Sequence, residues 1–176
     1  EKSQSEEWCF EDGLIDYLTQ ATEDYETLPK EPFFGSVQGN DEAVDWAIQW
    51  LPEGGEITGE SYVNLIPTPL GGTHVTGLRT GLLDSLREFC EFRNLLPRGL
   101  KLTSDDVWDK CCYVLSSKLL DPQFSGQTKE RLSSRQCAVF VAGVVKDSFS
   151  LWLNQHTDEA EAIAELCISN AQVRLK

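Results

Sequence analysis

The chain has 176 residues, 40% of them hydrophobic and 10% aromatic, which is enough for one domain with a packed core and too apolar for a disordered segment. No apolar run approaches ~18 residues and no basic n-region precedes an apolar h-region, so a soluble protein with no export signal and no membrane partner is expected. The formal charge of −14 is uneven: residues 1–60 hold sixteen Asp or Glu against Lys2 and Lys30, residues 61–176 hold thirteen of each sign, and the stretch from Arg79 to Arg135 has ten basic residues to eight acidic. A polyanion is repelled by the first part and tolerated by the second, or else the acidic third is a solvated face.

In chain order, "WCFEDGLIDYLTQA" predicts a short strand and a helix with Leu14, Ile15 and Leu18 on one face and Asp12 near its start. "EPFFGSVQG" and "EAVDWAIQWLP" predict a hairpin turned by "GND", in which Val44, Trp46, Ile48 and Trp50 alternate onto one side. "SYVNLIPT" reads as a third strand of that sheet. After "PLGGT" the period becomes helical, with Val75, Leu78, Leu82, Leu86 and Phe89 on one stripe, Thr73 as N-cap and Pro97 with Gly99 as the stop. "TSDD" at 103–106 opens another helix with acidic residues where its dipole favours them. "CYVLSSKL" is a strand. The loop "DPQFSGQTKERLSSRQ", residues 121–136, follows, ending in an expected capping box with Ser133 accepting from the Gln136 amide. From Cys137 to Leu153 a core helix carries Val141, Val144, Val145, Phe149 and Trp152, and the remainder continues as a more polar helix ending in Arg174 and Lys176.

Cys9, Cys90, Cys111, Cys112, Cys137 and Cys167 form no C-x-x-C pair and mostly have apolar neighbours, the pattern of reduced, buried thiols in a cytoplasmic protein. In a strand, Cys111 and Cys112 face opposite sides. His74 and His156 have no ligand spacing to any thiol, so no metal site is expected. The sequence contains no Met and begins at Glu1, which suggests a piece of a longer polypeptide.

The 121–136 loop places Gln127 and Lys129 between a strand and a helix, where an exposed tip is held at both ends. Lys129 either solubilises a turn or, as a compact point charge beside an amide, binds an anion such as a phosphate. No G-x-x-x-x-G-K-[ST] or G-x-G-x-x-G is present, so a nucleotide touched by Lys129 must be held by another domain. In "GGTHVTGLR", Gly71 and Gly72 fit a tight turn into the helix better than catalysis by His74. Arg79 and Arg87 lie eight residues apart, on one helical face opposite the apolar stripe, with Glu91 placed to pair with Arg87. A Ser, His, Asp hydrolase is disfavoured because neither histidine sits in a nucleophile motif.

"GESYVNLIPTPLGGTHVTGLRTGL", "REFCEFRNLLPRGLKLTSDDVWDKCCYVLSSKLLDPQFSGQTKERLSSRQ" and "VVKDSFSLWLNQ" closely resemble the transducer domain of the family of bacterial DNA topoisomerase IV B subunits, from "WCFEDGL" to "AQVRLK". The motifs G-G-T-H and D-P-x-F-x-x-Q-T-K are shared with the B subunit of DNA gyrase, the alternative within the same family; a non-enzymatic intracellular binding module is the alternative outside it. The resemblance implies an α/β domain of the ribosomal protein S5 domain 2-like fold. A mixed sheet is backed by helices, with a left-handed βαβ crossover and a long C-terminal helix, so that residues 1–154 are the transducer and 155–176 connect to a following domain. It further implies that Gln127 and Lys129 reach the γ-phosphate of ATP bound by a preceding domain, with Lys129 catalytic. Arg79 and Arg87 are implied to face transported double-stranded DNA, and Mg2+ to act outside this stretch. The implied partners are the A subunit of topoisomerase IV and a second copy of the B subunit, in the bacterial cytoplasm with the nucleoid. By this resemblance the stretch alone neither hydrolyses ATP nor relaxes DNA.

Overall fold

The computed structural model describes residues 13–126 and 129–176. The hairpin expected from the alternating pattern is β1 (Leu28–Gln38) with β2 (Glu42–Trp50), closed by the Gly39 N–H donating to Glu42 O at 2.6 Å. Its register sets Val37 opposite Val44, Gly35 opposite Trp46 and Phe33 opposite Ile48. Val44, Trp46, Ile48 and Trp50 reach one face and are at most 1% exposed, as a period of two requires. Ala47 and Gln49 are buried on the other face, so β2 is covered on both sides. The Gln49 amide is satisfied there, accepting from Thr22 Oγ1 at 3.0 Å and donating to Pro29 O at 3.2 Å.

The stretch read as one third strand is two. β3 (Gly59–Val63) turns at Asn64 and Leu65, whose φ values of 51° and 68° cannot continue a strand, into β4 (Ile66–Pro67). The Asn64 side chain holds this turn by bonding both backbone groups of Leu119, at 3.1 and 2.9 Å. β5 (Cys111–Leu119) lies antiparallel to β2 and parallel to β3, giving the sheet order β1-β2-β5-β3-β4. A parallel neighbour needs a crossover. It is supplied by α2 (Thr73–Phe92) and α3 (Ser104–Trp108).

α1, residues 13–21, covers one face with Leu14 and Leu18 against Ala47, Leu51, Cys112 and Val114. The strand expected at its start, Asp12 and Cys9 lie outside the described residues. On the other face lie α2, α4 (Arg135–Gln155) and α5 (Thr157–Arg174). Cys111 faces this helical layer and Cys112 faces α1, as strand alternation foresaw. Gly77, Gly81 and Ser85 form a small-residue stripe that lets α2 and α4 approach closely. A Cβ on Gly81 would stand 2.8 Å from Ala142 O and 2.9 Å from Val145 Cβ, and Ser85 donates to Lys146 O at 2.9 Å. α4 answers with Cys137, Val141, Val145, Phe149 and Leu153 at intervals of four. By length and composition α4 meets the criterion for a membrane-crossing helix, although no unbroken apolar run marks it in the sequence; its buried stripe places it in the core.

Several helix ends differ from their expected form. Gly72, not Thr73, is the N-cap of α2; Thr73 is the first helical residue and its hydroxyl is buried without a partner among the described residues. α2 stops at Phe92 rather than at Pro97. Asn94 takes φ 55°, and the Leu95 and Asn94 amides donate back to Cys90 O and Glu91 O at 2.9 and 3.3 Å, a Schellman closure. The last helix is not a continuation of α4: His156, at φ −126° and ψ 60°, breaks the run, and α5 turns back with Ala160, Ile163, Ala164, Cys167, Ile168 and Ala171 in the core. The helix expected at "TSDD" forms with Asp105 and Asp106 in its first turn, and a capping box not foreseen in the sequence closes it, with Asp106 Oδ2 accepting from the Thr103 N–H at 2.8 Å.

Candidate functional site

Residues 120–134 leave β5 and return to α4 as a narrow loop with cross-bonded limbs. Phe124 pairs antiparallel with Leu132, Ser125 N–H donates to Arg131 O at 2.9 Å, and Ser133 N–H donates to Gln123 O at 2.7 Å. The Gln123 N–H in turn donates to Ser134 Oγ at 2.8 Å. Ser134 is therefore the N-cap of α4 by position, but its hydroxyl serves the loop, and the capping box expected at Ser133 and Gln136 is not the arrangement found. Past this ladder Gly126 turns at φ 76°, and Lys129 is exposed in the turn that follows. Gln127 and Thr128 lie outside the described residues.

A second ladder ties the returning limb to the segment before α2. Leu132 pairs in parallel with Gly72; Thr73 N–H donates to Leu132 O at 3.0 Å, Leu132 N–H to Gly71 O at 3.0 Å, and Leu70 N–H to Glu130 O at 3.0 Å. Gly72 has φ 137°, and a Cβ on it would press on Leu132 O and stand 2.5 Å from Leu132 N. Both the dihedral and the close approach require glycine. The two motifs that look separate in the sequence, G-G-T-H and the Q-T-K loop, are thus one construction.

His74, fully buried on the first turn of α2, completes its base. Its Nε2 lies 3.1 Å from Thr68 Oγ1, which lies 2.7 Å from Ser61 Oγ on β3, and the Ser61 hydroxyl donates to Thr68 O at 3.0 Å. Because the Ser61 proton is committed to that carbonyl, Thr68 donates to Ser61 and accepts from His74, which fixes the Nε2–H tautomer. Nδ1 then has no partner among the described residues. Burial pushes the imidazole down to about 4, so it is neutral at physiological pH. Geometrically, His74 serves the turn into the helix.

Arg79 and Arg87 do share one flank of α2, and both guanidinium groups are engaged within the domain. Arg79 donates to Asp105 Oδ1 at 2.7 Å and lies over the Trp108 ring, 5.2 Å from its centroid. Arg87 donates from two nitrogens to Leu102 O at 3.0 and 2.7 Å, and this carbonyl takes the place expected for Glu91. The sequence reading missed a further group on the same side: buried Asp106 receives Arg174 from the end of α5 at 2.8 and 3.1 Å, while Asn170 donates to Asp106 O at 3.0 Å. Burial pushes the Asp106 carboxyl up, but hydrogen bonds from Arg174 and Thr103 outweigh it and hold it below the ordinary carboxylate range. No group of three or more metal-ligating side chains is gathered among the described residues. Cys90, Cys111, Cys112, Cys137 and Cys167 are free and buried, and burial raises each thiol, Cys137 to about 12.

The sequence model of the DNA gyrase B family matches residues 13–176. The chain belongs to the DNA gyrase B family. Within the family it is 69% identical to the B subunit of DNA topoisomerase 4 from Haemophilus influenzae and 66% identical to that from Escherichia coli, over 96% of this chain and 27% of either relative. It therefore spans about a quarter of the length of these curated relatives. Among solved structures, the topoisomerase IV ATP-binding domain of Francisella tularensis, in complex with a small-molecule inhibitor, superposes with a TM-score of 0.84 at 41% identity, over 93% of this chain and 44% of that one. The 43K ATPase domain of Thermus thermophilus gyrase B, bound to an aminocoumarin, gives 0.82 at 26% identity over 92% and 43%. The α/β architecture expected from the sequence, a mixed five-stranded sheet with helices, is thus one that these gyrase B family structures share.

Proposed function

We propose that this chain is the transducer of a topoisomerase IV B-type subunit, and that its Q-T-K loop senses the γ-phosphate of ATP. The observation that carries this reading is the exposed placement of Lys129 on a loop whose base is bonded twice over, to its own returning limb and to the G-G-T-H backbone. Its chemistry suits a phosphate: an exposed ammonium, Lys129, with the amide-bearing Gln127 two residues before it in the sequence, on a loop that can enter a pocket built elsewhere. The adenine, ribose and most phosphate contacts belong to the part of the longer polypeptide that binds ATP, and so does Mg2+.

When ATP is present, Lys129 contacts the terminal phosphate and ties the transducer to the nucleotide domain. A charge pair at ~4 Å and an effective dielectric near 20 is worth about 4 kcal/mol before desolvation, enough to bias a domain orientation. Lys129 also offsets charge developing on the transferred phosphoryl group. Hydrolysis removes the contact, and the freed transducer reorients. Residues 1–154 are the moving body, and α5, within residues 155–176, is packed into the same core, so it moves with that body and carries the motion toward the following domain. In this reading the complete enzyme contains the A subunit of topoisomerase IV and a second copy of the B subunit. It passes one DNA duplex through another, in the bacterial cytoplasm with the nucleoid. Arg79 is the better of the two arginines for duplex phosphates, since its side chain is 31% exposed and its partner Asp105 is 81% exposed, so the pair can exchange. Arg87 spends its Nε and one Nη on Leu102 O, a backbone carbonyl that cannot move aside as the exposed Asp105 can.

The test is Lys129→Ala in the full-length protein. Nucleotide should still bind, through the contacts made elsewhere in the longer polypeptide, while ATP turnover and strand passage fall by about two to three orders of magnitude. Lys129→Arg should not restore turnover fully, because a planar fork does not replace a compact ammonium. Turnover at the parent rate would show that Lys129 is a solvated loop lysine.

A further inference from the structure

We propose that His74 is a positioning residue for Lys129: held by Thr68, and through it by Ser61 on β3, its imidazole fixes the backbone of Gly71 and Gly72 on which the returning limb of the loop is hung. The proposal rests on the reading of Lys129 as a phosphate contact, and adds the element that sets where that contact can be made.

The mechanical problem lies in the two glycines. The returning limb takes its bonds from the 70–73 backbone, yet Gly71 and Gly72, at φ 71° and 137°, are the residues with most conformational freedom to lose. A flexible pair at the base would let the whole loop swing, and a displacement of about 1 Å at a reacting phosphate is costly. His74 bridges that weak point. Its Nε2 reaches back six residues to Thr68 Oγ1 at 3.1 Å, while the Gly71 N–H donates to Thr68 O at 2.9 Å, so the side chain closes a ring across both glycines.

The ring is referenced to the sheet. Thr68 N–H donates to Ser61 O at 2.8 Å and the two hydroxyls meet at 2.7 Å, and Ser61 sits opposite Leu115 in the parallel β3–β5 pair. β5 is also the strand from which the outgoing limb of the loop departs. Both limbs are thereby fixed relative to one strand, the outgoing limb covalently and the returning limb through Leu132, the glycine backbone, His74, Thr68 and β3. A leucine of similar size would fill the space of His74 without leaving Nδ1 unpaired. What the imidazole adds is one directed bond across the flexible link.

The test uses His74→Leu and Thr68→Val. In the 176-residue chain, the Leu70, Thr73 and Leu132 amides should exchange with solvent about tenfold faster in either variant, while amides of β2 and β5 keep parent rates. In the full-length protein the same variants should bind a non-hydrolysable ATP analogue with parent affinity and turn over ATP about tenfold more slowly. His74→Gln, which can return an N–H toward Thr68, should recover part of both losses. If His74→Leu fails to fold, Thr68→Val decides alone, because it keeps the imidazole and the side-chain volume. Parent exchange rates at Leu132 in a folded variant would overturn the anchoring. Faster exchange with parent turnover would overturn the link to Lys129. Parent turnover in Lys129→Ala as well would place that failure in the phosphate-contact reading rather than in the His74 ring.

Discussion

The tip of the 120–134 loop and the base that holds its returning limb have opposite designs. At the tip, Gly126 meets none of the described residues within 4 Å of an added Cβ and Lys129 is exposed; at the base, Gly72 is pressed against the Leu132 backbone and His74 is fully buried. The tip carries a charge that can meet a phosphate and contributes little to the fold. The base carries no reactive group and determines where the tip stands. The difference separates two kinds of residue that sequence motifs run together, since G-G-T-H and Q-T-K are equally prominent on paper.

Substitutions at the two ends should differ in the quantity they disturb, and the largest stability effect belongs to the base. Gly72→Ala combines a collision with backbone and an unfavourable φ, and should cost roughly 3 kcal/mol in urea denaturation of this chain. A loss under about 1 kcal/mol would mean that the Leu132 contact is loose.

A control away from the loop comes next. Asp106→Ala removes a 2%-exposed carboxylate from Arg174, Thr103 and the end of α5, and should cost about 2 kcal/mol, less than a fully buried pair because the Arg174 side chain is 36% exposed. The folded carboxyl is held below its unfolded value, so its contribution is present above about pH 4 and is lost as pH falls through the folded value. The parent should lose this increment on acidification and the variant should not. Parallel acid profiles for the two would contradict the pairing, and a change in Leu132 amide exchange would break the separation between this site and the loop.

Gly126→Ala should cost only about 1 kcal/mol, because the strain of φ 76° remains but none of the described residues lies within 4 Å of the added methyl group. Lys129→Ala should move stability by less than about 0.5 kcal/mol. A larger effect in either would show that the tip is tied into the fold and that the comparison is wrong.

Local patterns carried much of the fold in readable form. Alternation at Val44, Trp46, Ile48 and Trp50 marked the buried face of β2, and the acidic residues of "TSDD" marked a helix start, because each is decided within a few residues. What escaped was decided by partners far along the chain. The burial of α5 depends on a break at His156 that no proline or glycine announces. The Ser134 hydroxyl serves the Gln123 amide instead of its own helix, and Asp106 waits for Arg174, sixty-eight residues on. For the candidate site, two adjacent glycines signalled a close approach, but not that Leu132 is what approaches. The role of His74 was invisible because Thr68 and Ser61 are ordinary residues until β3 and β4 bring them together.

The most direct test of the division between tip and base is a double-mutant cycle on ATP turnover in the full-length protein, using Thr68→Val and Lys129→Ala. If the base acts on catalysis only by placing Lys129, Thr68→Val slows the parent about tenfold but has no further effect once Lys129 is gone, so the double variant matches Lys129→Ala alone. If the two losses multiply, the base affects turnover by a route that does not pass through Lys129, which would contradict the division.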